Sequence, residues 1–522
     1  KEPSVHASQR SRSQTNRSAN NVQQTLDSVA MKVITDPEGE VMKRTTYPLL
    51  INYLISELAN IFTVYIVWFY TSSTAISQFA VCYPICYFIS QAVPKAISQA
   101  QVSFIASLVA ETKVKQADES VAYHFVIQGC YFILACILAF VVAVAFPGML
   151  QISNSDTNYA VIYIPVTCVI GTLLSIFNSS TEALLLIENN HQMNLKRSVT
   201  SSILQLLFVM MSFQYVKQSD KECSLTQLAI GQVLGQLLPA AIMAFYYQDF
   251  SQTNQFKAVL KAKFKYLKQF NVQTFTKLIL LALPKISQFG SQPLMIFFCD
   301  IVIAQLFSEE QDMLIGRVGL LLYFLSFQLF GFVMQTYIYS SEVELGLNLL
   351  QKKYVRSKEL LFKGLIWAIV LQAILLIIAF TTGSSIVEFF IPDNADKKEF
   401  ITLYAKDYIG YSYYLPILYI PFHYCQAIFA IEKNWKMNML LNLIHPVIAI
   451  LTLIVLATTV GDRCELWWVA FFAELISGIS GVVLLLRKIF EVMQFAKIEL
   501  KRLKKKKKLE EEGKVEELEK QD

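Results

Sequence analysis

The chain has 522 residues, 54% of them hydrophobic and only 16% charged, and a mean hydropathy of +0.44. No water-soluble domain can hide that much apolar surface, so the composition excludes a soluble protein and implies lipid as the solvent. The net charge of +5 gives no basis for nucleic-acid binding, and its uneven distribution carries more information than its total.

The first forty residues are polar and contain no apolar core of the kind a signal peptide needs. Residues 9–24 are rich in Ser, Asn, Gln and Arg, which predicts a flexible tail over 1–46. A transmembrane helix needs about twenty apolar residues to cross some 30 Å of hydrocarbon. That criterion places spans at 47–70, 75–109, 121–146, 159–186, 198–216 and 225–247, forming a first half over 47–248. A second series at 275–299, 313–340, 365–380, 404–431, 439–459 and 467–486 forms a second half over 275–489. The expected fold is all-α and integral to the membrane, with about 12 transmembrane helices in two six-helix lobes.

Between the halves, residues 249–274 are basic. Phe256, Leu260, Phe264 and Leu267 share a helical face beside Lys257, Lys261, Lys265 and Lys268, the pattern of an amphipathic helix at a membrane surface. Lysine and arginine are retained on the cytoplasmic side during insertion. The loops holding Lys113 and Lys115, Lys196 and Arg197, Lys352 to Lys358, and Lys433 and Lys436 are therefore read as cytoplasmic, as are both termini. In the C-terminal tail, 490–522, the lysines Lys504 to Lys508 suit an anionic lipid leaflet. The acidic segment that follows them stays in water or pairs with those lysines.

The two halves repeat. Ile187-Glu188-Asn189-Asn190-His191-Gln192-Met193-Asn194 returns as Ile431-Glu432-Lys433-Asn434-Trp435-Lys436-Met437-Asn438, and Tyr159-Ala160 returns as Tyr404-Ala405, at offsets of 244 and 245. Cys223-Ser224-Leu225 matches Cys464-Glu465-Leu466 between the fifth and sixth helices of each half. Six helices is an even number, so both copies enter from the same side and are parallel repeats about an axis along the membrane normal.

With a proline opening the first helix of each half (Pro48, Pro284), long second and eighth helices, and matching fourth and tenth helices, the chain resembles the multidrug and toxin extrusion (MATE) family over roughly 47–486. The resemblance implies a secondary active transporter: antiport of small organic solutes against H+ or Na+, by rocking of two lobes. Acids that many members carry in the first, seventh and tenth helices align here near Thr63, Gln292 and Pro421, with His423 close to the last. Their loss leaves two alternatives open, a transport-inactive structural subunit of a larger membrane assembly with protein partners, and a lipid-precursor flippase.

Charges inside a bilayer are rare and either pair or face a cavity. Glu57 and Lys95 lie at similar depth, so they read either as a structural ion pair or as a proton-sensitive carboxylate beside a cavity. Lys285 has Glu342 and Glu344 as candidate partners. Glu474 is the deepest acid of the second half, and Glu182 is expected to snorkel to the interface. His423 and His445 are candidates for titration near neutral pH. Tyr404, Tyr408, Tyr411, Tyr413, Tyr414, Tyr419 and Tyr424 on the tenth helix either line an aromatic cavity for organic cations or simply pack. The nine cysteines form no metal pattern, and no catalytic constellation or phosphate loop stands out. The sequence is therefore read as a non-enzyme with neither cofactor nor metal.

Overall fold

The computed structural model describes residues 35–110, 113–149, 162–187, 190–218, 225–247, 271–306, 310–390, 415–459 and 467–511. In the first lobe, α1 is Glu38–Tyr70, and α2 joins Ser73–Tyr87 to Val93–Ala110 through a π-helical turn, Phe88–Ala92. The lobe continues with α3 (Val114–Met149), α4 (Ile162–Ile187, containing a π turn at Val166–Gly171), α5 (His191–Gln218) and α6 (Leu225–Tyr247). In the second lobe, α7 is Val272–Leu306, and α8 consists of Glu310–Phe330 and Phe332–Leu350 bent by 52° at Gly331. Then come α9 (Tyr354–Phe390), α10 (Leu415–Ile431), α11 (Trp435–Thr459) and α12 (Trp467–Glu511). Hydrocarbon offers the backbone no hydrogen-bond partner, so segments that bond internally are the ones these apolar runs must adopt.

Nine of the described helices are long and apolar enough to cross a membrane, ten with the bent α8 counted as one. The shorter α10 and the 23-residue α6 complete the twelve described helices. Burial sorts them by place. The α2 span is 83% buried, whereas that of α3 is 17% buried and turns Ile133, Phe140 and Val144 outward. A soluble protein would bury such residues; here they form the lipid-facing surface.

The repeat is visible in the turns. Asn190 Oδ1 caps the Met193 amide at 3.3 Å at the start of α5, and Asn434 Oδ1 caps the Met437 amide at 3.3 Å at the start of α11. Between the second and third helices of each lobe, Lys113 N bonds Leu108 O at 2.8 Å and Lys353 N bonds Asn348 O at 2.9 Å. The parallel reaches the irregularities: the π turn of α2 and the Gly331 break of α8 fall at corresponding places.

Several boundaries differ from the hydropathy reading. The first helix starts at Glu38, inside the segment read as tail, so Pro48 lies within it rather than opening it. Likewise Asn271 Oδ1 caps the amides of Gln273 and Thr274 at 3.0 and 3.2 Å, which places Pro284 inside α7. Intramembrane prolines persist because neighbouring helices re-satisfy the freed carbonyls. The last helix runs 45 residues, about 67 Å at 1.5 Å per residue and twice the hydrocarbon thickness. Its extension docks on the start of α9, where Phe495 stacks on Tyr354 at 5.0 Å and Glu499 Oε2 accepts from the Val355 amide at 2.8 Å. Residues 249–270 of the basic linker, the motif containing Tyr159, and the segment with Tyr404, Tyr408, Tyr411, Tyr413 and Tyr414 lie outside the described residues.

Glycine sets the tightest approach in each lobe. A Cβ on Gly235 of α6 would fall 2.3 Å from Gln205 Cα of α5, and one on Gly481 of α12 would fall 2.4 Å from Phe422 Cα of α10. Small residues let backbones touch where lipid gives no hydrophobic drive. Gly235→Val should force α5 and α6 apart and lower stability by about 1–3 kcal/mol, as overpacking generally does. Thermal unfolding of the purified protein in detergent measures this, and an unchanged midpoint would contradict the packing.

Candidate functional site

Each lobe borders a cavity that polar side chains enter. The cavity of the first lobe, of about 170 Å³, is lined by Asn52, Tyr53, Ser56 and Glu57 of α1, Glu182 of α4 and Arg197 of α5, among others. Glu182 does not snorkel: its carboxylate accepts from the Tyr53 hydroxyl at 2.9 Å and pairs with Arg197 Nη2 at 3.5 Å. Tyr53 and Arg197 approach from other helices, which hydropathy along α4 cannot reveal. Glu57, buried to 5% exposure, accepts from Asn60 Nδ2 at 3.2 Å, and Gln335 of α8 stands against it.

The cavity of the second lobe is smaller, about 70 Å³, and brings together Gln288 and Gln292 of α7, Tyr419 and His423 of α10, His445 of α11 and Glu474 of α12. Gln292 Nε2 donates to Glu474 Oε1 at 3.1 Å. His423 Nδ1 lies 2.9 Å from Gln288 Nε2 and 2.8 Å from Gln426 Oε1. Two atoms at this wall, His423 Nε2 and His445 Nδ1, are buried and make no hydrogen bond to a described residue, while Tyr323 stands against Glu474 and Ser477 against the Tyr419 hydroxyl. Buried polar atoms left in that condition are costly and mark places where a polar solute or water belongs.

Lys95 and Tyr87 of α2 line both cavities. Lys95 forms no ion pair with a described carboxylate. Its ammonium faces the ring of Tyr53 at 5.0 Å and the rings of Phe289 and Tyr339 at 5.6 Å each, with the Glu57 charge near enough to balance it. The pairing expected between Glu57 and Lys95 is therefore electrostatic neighbourhood within one cavity rather than a direct bridge.

Where the two lobes meet, the end carrying the basic turns is fastened by charge. The fully buried Lys285 bonds Glu342, whose second oxygen accepts from Gln99 Nε2 of α2 at 3.1 Å. Glu344 accepts from the hydroxyls of Thr45 and Thr46 of α1. Nearer the surface, Glu38 of α1 meets Arg356 at 3.6 Å and Lys363 at 3.1 Å on α9. The Lys285–Glu342 pair lies within the second lobe, and the bonds to Gln99, Thr45, Thr46 and Glu38 join one lobe to the other.

Two features escaped the sequence reading. Asp300, with no exposure, faces Arg317 of α8; the seventh span was ended one residue before it, although the apolar run Ile301-Val302-Ile303 continues beyond. His124 of α3 bonds Ser180 Oγ at 2.7 Å, and Gln128 Nε2 reaches Ser98 Oγ at 3.0 Å, which passes the network to Ser179 at 3.0 Å. The polar residues recurring along α3 were the available signal.

The twelve described helices, in two alike lobes with a cavity at each side of a central seam, make a fold of the kind seen in solved MATE transporters. A MATE transporter bound to MaL6 aligns with a TM-score of 0.70 at 12% identity, over 89% of this chain and 99% of that one. An outward-facing multidrug-resistance MATE transporter of the MOP superfamily gives 0.67 at 13% identity over 89% and 98%. A MOP superfamily transporter from Pyrococcus furiosus, whose binding pocket is described as reversed in polarity, gives 0.68 at 13% over 88% and 98%. At these identities the likeness is one of fold. No protein-family model matches the sequence, and no curated protein matches it.

Removing one member of a buried ion pair leaves the other uncompensated, at a cost of about 3–5 kcal/mol. Lys285→Met or Glu342→Leu alone should lower the unfolding midpoint strongly, and the double variant should recover much of the loss. A double-mutant cycle on thermal stability reads this; additive losses would show that the pair is not coupled.

Proposed function

We propose that this chain is a multi-pass secondary transporter of small polar organic solutes, working by alternating access and driven by H+ or Na+. The observation that carries this reading is the set of buried polar atoms at the second cavity, beside a carboxylate, Glu474, that a neutral glutamine holds. Gln292 occupies the place where the MATE resemblance implies a seventh-helix acid. Glu474 reaches the same point from α12, which supports it as the coupling carboxylate of this lobe. Glu57 is its counterpart in the other cavity.

Both cavities are below the roughly 300–1,000 Å³ of pockets for drug-sized ligands, in keeping with lobes drawn together in this state. They are small and of mixed charge, with Lys95 beside Glu57 in one and beside Glu474 in the other, which favours a small solute over the wide cationic cavity a lipid-precursor flippase needs. An inert structural subunit has no use for polar atoms left unsatisfied around a cavity. With the basic turns in the cytoplasm, the fastened end is the cytoplasmic one, and transport requires those ties to break. The exposed Lys504 to Lys508 on the α12 extension then face the inner leaflet, where each adds about 1 kcal/mol of attraction to anionic lipid.

Proteoliposomes carrying a pH or Na+ gradient, screened with radiolabelled polar solutes, test the reading. Gradient-driven uptake is expected for the wild type, and Glu474→Gln should abolish the dependence on the gradient while leaving the unfolding midpoint near that of the wild type. Uptake that ignores both gradients, or survives Glu474→Gln unchanged, would remove Glu474 from the coupling role. For the orientation, a protease site placed within residues 249–270 should be cut only from the cytoplasmic side.

A further inference from the structure

The surroundings of Lys95 are unusual for a lysine. Its half-buried ammonium has three aromatic rings around it, at 5.0, 5.6 and 5.6 Å, and no carboxylate at ion-pair distance among the described residues. Two of those rings stack on each other, Tyr53 on Tyr339 at 5.3 Å, and Phe289 leans on Tyr339 at 6.4 Å. Faces of aromatic rings converging on one cation are the chemistry that recognises alkylammonium groups. Tyr53 belongs to the first lobe, Phe289 and Tyr339 to the second, so the cage exists only while the lobes are together. It stands at the wall that both cavities share.

We propose that the Tyr53–Phe289–Tyr339 cage is an ammonium site occupied by the chain's own Lys95, and that this tethered cation excludes free organic cations, leaving cargo without net positive charge. Two positive charges cannot share one partly desolvated cage, and the tethered one is always present at high effective concentration. A free ammonium must therefore expel Lys95 to enter. The inference deepens the transport reading by removing one class of solute. It is tested by binding, so a failure to observe transport leaves it standing.

The probe is n-propylammonium, which replaces the atoms that Lys95→Ala deletes, with n-propanol as the neutral control. Thermal unfolding of the purified full chain in detergent is followed against concentration. A saturable rise in midpoint is expected for Lys95→Ala, half-complete at a concentration at least about tenfold below any response of the wild type. That rise should be absent with n-propanol and lost in Tyr53→Ala/Lys95→Ala. The wild-type measurement stands alone: if the unaltered protein binds n-propylammonium as well as the variant does, Lys95 does not hold the cage. A folded, monodisperse Lys95→Ala that fails to respond would equally overturn the proposal, as would an undiminished response in the double variant. Should Lys95→Ala not fold, Lys95→Gln removes the same charge and carries the same comparison, with the same expected and opposing results.

Discussion

A charge carried into hydrocarbon must be met by something other than lipid, and the interior of this protein is organised around that requirement. The partner comes from a different helix in the buried pairs, Arg197 for Glu182 and Lys285 for Glu342, and Arg317 of α8 lies near enough to Asp300 of α7 to stabilise its charge. Each buried charge thus becomes a tie between helices, and those nearest the seam become ties between lobes. Glu342 and Glu344 of α8 illustrate the point, since they hold α2 and α1 through Gln99 and Thr45. Polar ties can be exchanged for water or solute, which a continuous apolar seam would resist, so under the proposed transport cycle these groups would both close the lobes and let them part.

The two lobes are alike in backbone and unlike in chemistry. Their second helices are both irregular near the seam, by a π turn at Phe88–Ala92 in α2 and by the 52° bend at Gly331 in α8. Such departures from regular helix are places where side chains are re-aimed and bending is cheap. Just beyond them stand Lys95 on α2 and Gln335 on α8, at matching positions, one a cation and the other a neutral amide. The repeat supplies a symmetric frame, and the difference between Lys95 and Gln335 makes the centre of that frame asymmetric. Both converge on Glu57, so this carboxylate of the first cavity is met from both halves.

Much of this architecture was legible in the sequence. Twelve apolar segments, the repeat around Asn190 and Asn434, the alternation of lysine-rich loops, and Glu342 as a partner for Lys285 could all be read from residue type and spacing. The readings that failed share a cause. Pro48 and Pro284 were taken to open helices because hydropathy falls before them, yet Pro37 and Asn271 begin those helices farther upstream, in polar sequence that a hydropathy window discounts. Glu182 was expected to reach for water because only its own helix was considered. Asp300 was missed at the edge of a window.

The sequence by itself determined the solvent, the number of crossings and the twofold plan. Those depend on sums of side-chain transfer energies over about twenty residues, which survive errors at any single position. Only the tertiary structure decided which way each charge points. A helix turns 100° per residue, so the direction of a side chain is useful information only once the neighbouring helices are in place. That is why Lys95 was visible as an intramembrane cation, but its three rings, drawn from α1, α7 and α8 across both lobes, were not.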